Sequence, residues 1–156
     1  MERPPIICNT GPLIALSLVG LDDILGQLFE PAIPEKVFQE WKDGHPERNL
    51  LASIPVLEAP PVDSLLALQL DPGEASVIQL ALKRSVPNVL IDERKGRKIA
   101  RRVYGLHTIG TARVLVEARQ AGLIAEIAPL FDRLREESYW IADPIVKWAK
   151  SAAGET

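Results

Sequence analysis

The stretch "IICNTGPLIAL", residues 6–16, decides the fold. It opens as a short apolar run with β-branched Ile6 and Ile7, the composition of a buried strand. It then breaks at Asn9-Thr10-Gly11-Pro12. Pro12 suits the first position of a helix, and "PLIALSLVG" continues as an almost wholly apolar helix. A strand that runs straight into a helix is the first half of a β–α unit. Asn9 stands where that strand ends, the position at which open α/β sheets hold their ligands.

Outward from this unit, strand and helix signals keep alternating. "LDDILGQL" reads as a short helix and "FEPAI" as a strand. Pro34 opens "PEKVFQEWKDG", in which Val37, Phe38 and Trp41 share one side. "HPERNLLASIP" is a polar, proline-bounded loop with a turn of helix, followed by the strand "VLEAP" and the helix "VDSLLALQL". "DPGEASVIQLALKRS" is a well-signalled helix and "NVLID" a buried strand. The basic helix "ERKGRKIARRVYG", the strand fragment "HTIG" and the helix "TARVLVEARQAGL" come next. The last part offers the helix "IAPLFDRLREES", a short strand "YWIA" and the amphipathic "DPIVKWAKSAA". Strands that are continuously apolar, alternating with helices, predict an α/β fold: a mainly parallel sheet covered on both faces, a three-layer α/β/α sandwich.

The 156 residues fit one domain, 1–156, without repeat, linker or low-complexity tract. Hydrophobic residues make up 47% and mean hydropathy is +0.06, enough for a substantial core. The net charge of −3 excludes a globally basic nucleic-acid binder, so any such partner needs a local patch. Cys8 is the one cysteine and His45 and His107 the two histidines. An intrachain disulfide and a Cys/His zinc site are therefore excluded, and the cytoplasm is the expected compartment. The start lacks the apolar core of a signal peptide, and no run reaches the roughly 18–20 residues of a membrane span.

Four places carry polar groups suited to chemistry: Asn9 after the first strand, Glu40 on the third helix, Glu74 in "DPGE", and Asp92-Glu93 after "NVLI". Each also has a purely structural reading. Asn9 or Thr10 suits a helix cap, and Asp71 with Glu74 has the form of a capping box. Asp92 is placed to cap the basic helix, and Glu40 to face solvent. Taken together they say more. Two carboxylates about 4 Å apart repel by roughly 4 kcal/mol at an effective dielectric near 20, so gathering three calls for a cation or protons. Carboxylate and amide oxygens are hard ligands suited to Mg²⁺ or Mn²⁺, as in metal-assisted phosphodiester hydrolysis.

The segments "CNTGPLIAL", "IPEKVFQE", "LDPGEASVIQLAL", "VLIDERKGRKIA" and "IGT" follow one another as in PIN-domain proteins, and the chain resembles the branch related to VapC-type toxin ribonucleases over about residues 5–150. The resemblance implies strand order 3-2-1-4-5 and a Mg²⁺- or Mn²⁺-dependent endoribonuclease, the toxin of a toxin–antitoxin pair. It places Asn9, Glu40, Glu74 and Asp92 at the metal, with Glu40, Glu74 and Asp92 or Glu93 as the catalytic acids. Adjacent strand residues face opposite ways, so one of Asp92 and Glu93 faces the ion. Thr10 and Thr111 stand where hydroxyls accompany such a site, Thr111 with helix capping as its main role. The wider family carries Asp where this chain has Asn9. An amide oxygen still ligates a metal but brings no charge and no base, so weaker metal binding is expected.

Arg94, Lys95, Arg97, Lys98, Arg101 and Arg102 crowd the helix after Asp92. With Ile99, Ala100 and Val103 as its buried stripe, Arg94, Arg97, Lys98 and Arg101 form an outward face suited to phosphates of RNA, single-stranded or structured. Lys36, Lys42 and Arg48 extend it. Aromatics are scarce, which disfavours stacking on bases. Trp41, Trp140 and Trp148 suit the core or an interface, and the last helix is expected to dock on the domain. The resemblance further implies a homodimer and a small antitoxin partner. Two other readings stand beside this one: a catalytically weak or inactive nucleic-acid-binding protein, and a protein-interaction subunit. A P-loop and a G-x-G-x-x-G motif are both absent, which disfavours a phosphotransferase.

Overall fold

The computed structural model describes residues 2–44 and 54–155. Its elements run β1 (Pro5–Cys8), α1 (Thr10–Leu18), α2 (Ile24–Leu28), β2 (Glu30–Pro34), α3 (Glu35–Gly44), β3 (Val56–Leu57), α4 (Ser64–Gln69) and α5 (Pro72–Arg84). They continue with β4 (Asn88–Leu90), α6 (Arg94–Arg102), β5 (His107–Ile109), α7 (Thr111–Gln120), α8 (Ala128–Glu136) and α9 (Asp143–Ala152).

The five strands form one sheet in the order β3-β2-β1-β4-β5, every neighbouring pair parallel. β1 is central, pairing Ile6 with Pro31 on β2 and Ile7 with Val89 on β4. It can be central because Ile6, Ile7 and Cys8 are all buried, with no polar face to present to water. The chain leaves β1 in one direction to build β2 and β3 and returns on its other side as β4 and β5. The gap between the ends of β1 and β4 is therefore the switch point of the sheet.

α5 is the principal helix on one face, packed on β1, β2 and β4 and flanked by α3, α4 and α6. α7 centres a second group, packed with α1, α2 and α9. This is the α/β sandwich expected from the alternating apolar strands. α5 starts where Asp71 accepts a hydrogen bond from the Glu74 amide at 2.9 Å, and it ends at Ser85 in the left-handed conformation. Near the other end of the chain, Glu155 accepts from the Ile127 and Ala128 amides at 2.9 and 3.0 Å and ties the tail to the start of α8. Among the described residues, no helix is long and apolar enough to cross a membrane.

Several expectations need correction. "YWIA" forms no strand; residues 139–142 link α8 to α9 without a strand to pair with. Val103 lies just past α6 and is 65% exposed, and Gly96, Ile99 and Ala100 make the buried side of that helix. α9 does dock on α7 and buries Ala149, but Trp148 stays 47% exposed and Trp140 71%. Trp41 is a core residue. The expected turn of helix in "HPERNLLASIP" and Arg48 fall largely or wholly outside the described residues.

Candidate functional site

The switch point gathers side chains from four separate segments. Asn9 follows β1 directly and its amide N–H donates to the Leu90 carbonyl of β4 at 2.9 Å. It is the N-cap residue of α1 by position, yet its side chain makes no capping bond. Its Oδ1 is buried without a hydrogen-bond partner. Helix capping therefore does not account for the Asn9 side chain, whose unmatched buried oxygen costs about 1–3 kcal/mol.

Glu74 is the second such group. The capping box exists only in half: Asp71 caps α5, but Glu74 turns inward, 2% exposed, with Oε1 buried and unpartnered. Its Oε2 lies against α6, where a β-carbon on Gly96 would sit 3.1 Å away, beside Ile91. Asn9 and Glu74 thus flank the same end of β4. Burial, reinforced by the charges of Asp71, Glu93 and Glu40, pushes the Glu74 carboxyl up to about 7.

Glu40 reaches the site from α3, half-buried, and Oε2 accepts from the Thr10 hydroxyl at 2.9 Å. Its carboxylate lies on the first turn of α5, where a β-carbon on Gly73 would come within 2.5 Å of Oε1 and 2.6 Å of Oε2. Glycine within a helix costs up to about 1 kcal/mol relative to alanine. At Gly73 and Gly96 that cost accompanies room for two carboxylates. Neither glycine stands out in the sequence reading, although two glycines in the first turns of helices are a legible signal.

Asp92 and Glu93 part company, as adjacent residues in extended chain must. Glu93 is exposed at the start of α6 and is the member of the pair whose charge acts on Glu74. Asp92 turns toward α7 instead. Its Oδ1 accepts from the Thr111 amide at 2.7 Å, and its Oδ2 from the Thr111 hydroxyl at 2.6 Å and from the Tyr139 hydroxyl. Asp92 therefore caps α7 rather than the basic helix. Thr111 is not a cap, contrary to the sequence reading; it is fully buried and donates to Asp92. Tyr139, the residue the sequence reading missed, arrives from the segment after α8. Burial and the Asp92 charge push its phenol up, so it stays a donor.

The basic helix also divides. Arg94, Lys98 and Arg101 are exposed. Arg97 is not on that outer face: it is half-buried and Nη1 donates to the Ile91 carbonyl at 3.0 Å. Burial lowers its pKa, opposed by the nearby Asp92 charge. Of the expected extensions, Lys36 is exposed on α3 and Lys42 lies over the Phe38 ring at 5.5 Å.

Among the described residues, no three carboxylate, histidine or cysteine side chains converge closely enough to make a ready-built metal cage. What fits a hard cation is the donor chemistry: two buried, unmatched acceptor oxygens, Asn9 Oδ1 and Glu74 Oε1, in a neighbourhood made negative by Glu40 and Glu93. A separate cleft of about 510 Å³ between α3, α4 and α5 has a largely apolar lining and contains none of these residues.

The DUF3368 family, described as a PIN domain, matches residues 5–155 of the chain. Among solved structures the chain is similar to PAE2754 from Pyrobaculum aerophilum, at 20% identity and a TM-score of 0.50, over 75% of this chain and 97% of that one. That likeness concerns the fold. No curated protein matches the chain. With the family match spanning nearly the whole sequence and the polar residues at the switch point of an all-parallel sheet, the chain belongs to the DUF3368 family of PIN domains, a nuclease-type family.

Proposed function

We propose that the protein is a metal-dependent endoribonuclease and the toxin of a toxin–antitoxin pair, acting in the cytoplasm. The observation that carries the reading is the pair of buried acceptor oxygens, Asn9 Oδ1 and Glu74 Oε1, left without partners at one end of β4. Mg²⁺ or Mn²⁺ is the cofactor this donor set suits, held by Asn9, Glu40 and Glu74 with Asp92 and Glu93 as the further acids after β4. The chemistry supplied by such an ion when bound is polarisation of a phosphodiester and neutralisation of the charge that develops on cleavage. Thr10 orients Glu40 by donating to its Oε2. Arg94, Lys98 and Arg101 hold the RNA backbone along α6, and half-buried Arg97 presents its remaining N–H groups beside the site. A homodimer and a small antitoxin complete the proposal.

The test is RNA cleavage with Mg²⁺ or Mn²⁺, with EDTA, and with Glu74→Gln. Cleavage is expected to need the ion and to be abolished by Glu74→Gln. Cleavage that persists in EDTA and in that variant overturns the metal mechanism. Asn9 in place of an acid favours one second reading, an RNA-binding PIN-like protein of weak or no catalysis. It would show salt-sensitive RNA binding without cleavage at any metal concentration.

A further inference from the structure

Asp92 is the best-supported side chain of the site, and one of its supports comes from 47 residues away. The Tyr139 hydroxyl donates to Asp92 Oδ2, the oxygen that also accepts from Thr111 Oγ1, while Oδ1 accepts from the Thr111 amide. The same hydroxyl sits over the start of α1: a β-carbon on Gly11 would lie 3.2 Å from it, two residues beyond Asn9. The position of Tyr139 is set on its own side. Ser138 takes the left-handed conformation with φ 62° and closes α8, and the Tyr139 amide donates to the Leu134 carbonyl at 2.8 Å. Arg135 then bridges to Asp143 at 2.8 Å, across the segment that carries Tyr139.

We propose that Tyr139 is a positioning residue of the candidate site: seated above Gly11, its hydroxyl holds the Asp92 carboxylate against the N-terminus of α7 and so sets the spacing between the ends of β1 and β4. The role in turnover rests on the nuclease reading above; the positional role does not. With both oxygens engaged, Asp92 has one orientation, and Gly110 and Arg97 pack against it: a β-carbon on Gly110 would meet Arg97 Nη1 at 2.7 Å and Asp92 Oδ1 at 3.0 Å. The phenol therefore acts through Asp92 on the N-terminus of α7 and on Arg97. Phenylalanine would fill the same space and remove only the donor.

Tyr139→Phe separates the two levels. Amide hydrogen exchange of Thr111 is expected to quicken at least tenfold, with the amides of Ile7 and Val89 unchanged. In single-stranded RNA cleavage with Mn²⁺, kcat is expected to fall about tenfold with KM unchanged, and not to fall further when Tyr139→Phe is added to Asp92→Asn. Gly11→Ala, which crowds the hydroxyl from the other side, should quicken Thr111 exchange in the same way. Unchanged Thr111 exchange in Tyr139→Phe, or equal quickening across the sheet, overturns the proposal. A wild-type protein that cleaves no RNA overturns the nuclease reading, while localised Thr111 exchange would still uphold the hold on Asp92.

Discussion

Glu74 carries the sharpest residue-scale consequence. A carboxyl raised from 4.5 to about 7 in the folded protein favours folding in its protonated form. Its contribution is therefore fully present below about pH 4.5 and is lost as pH rises through about 7. In metal-free protein, the Glu74→Gln variant should lose this pH dependence and be more stable than wild type at pH 8, on the order of 3 kcal/mol. Urea unfolding at pH 5 and pH 8 measures it; equal stabilities of the two proteins at both pH values would contradict the burial of an ionisable Glu74. Gly73→Ala tests the neighbouring group. Its β-carbon would displace the Glu40 carboxylate, so the melting-temperature rise on adding Mn²⁺ should shrink and RNA cleavage should fall about tenfold. Metal-free stability should hold or gain up to about 1 kcal/mol, since alanine is the better helix former. Of this site, Asn9 and Glu74 are legible because each sits at a position set by local pattern, a strand end and a helix start, and Glu40 because it lies one turn past Val37 on α3. Tyr139 is not, because its bond to Asp92 depends on tertiary folding that no local period encodes.

At the scale of elements, α5 and α6 divide the work. Asp71 caps α5 and fixes the turn that bears Glu74. Asp71→Ala should cost about 1 kcal/mol in denaturant unfolding and reduce cleavage as well. On α6, reversing the charge of exposed Arg94 and Arg101 should weaken RNA binding equally for different sequences. The salt slope should fall by about 0.7 for each phosphate that the helix no longer neutralises, read by fluorescence titration across salt concentrations. An unchanged slope would remove the exposed face of α6 from the RNA path. Elements with strong local signals are the readable ones: β1 and β4 by continuous apolar composition, α5 by its Asp-Pro-Gly-Glu start. "YWIA" misleads because aromatic and β-branched residues favour a strand only where a neighbouring strand accepts them. Val103 and Arg97 depart from expectation for a related reason. A helical period places residues on faces, but it gives neither the helix end nor the carbonyl of Ile91 that draws Arg97 inward.

At the scale of the whole molecule, parallel order and a central β1 follow from strands that have no polar face. The switch point then brings Asn9, Glu40, Glu74 and Glu93 into one neighbourhood although 84 positions separate the first from the last. Three of the departures from expectation fall around that neighbourhood: an asparagine without a capping bond, a capping box half made, an arginine turned inward. Functional sites are where local rules give way to collective geometry. The central claim, that this geometry exists to hold a divalent ion, is tested most directly by anomalous diffraction from crystals soaked in Mn²⁺. The expected result is a single strong peak within bonding reach of Asn9 Oδ1 and Glu74 Oε1, absent in Glu74→Gln; no peak there at millimolar Mn²⁺, or one only on remote surface carboxylates, would contradict it.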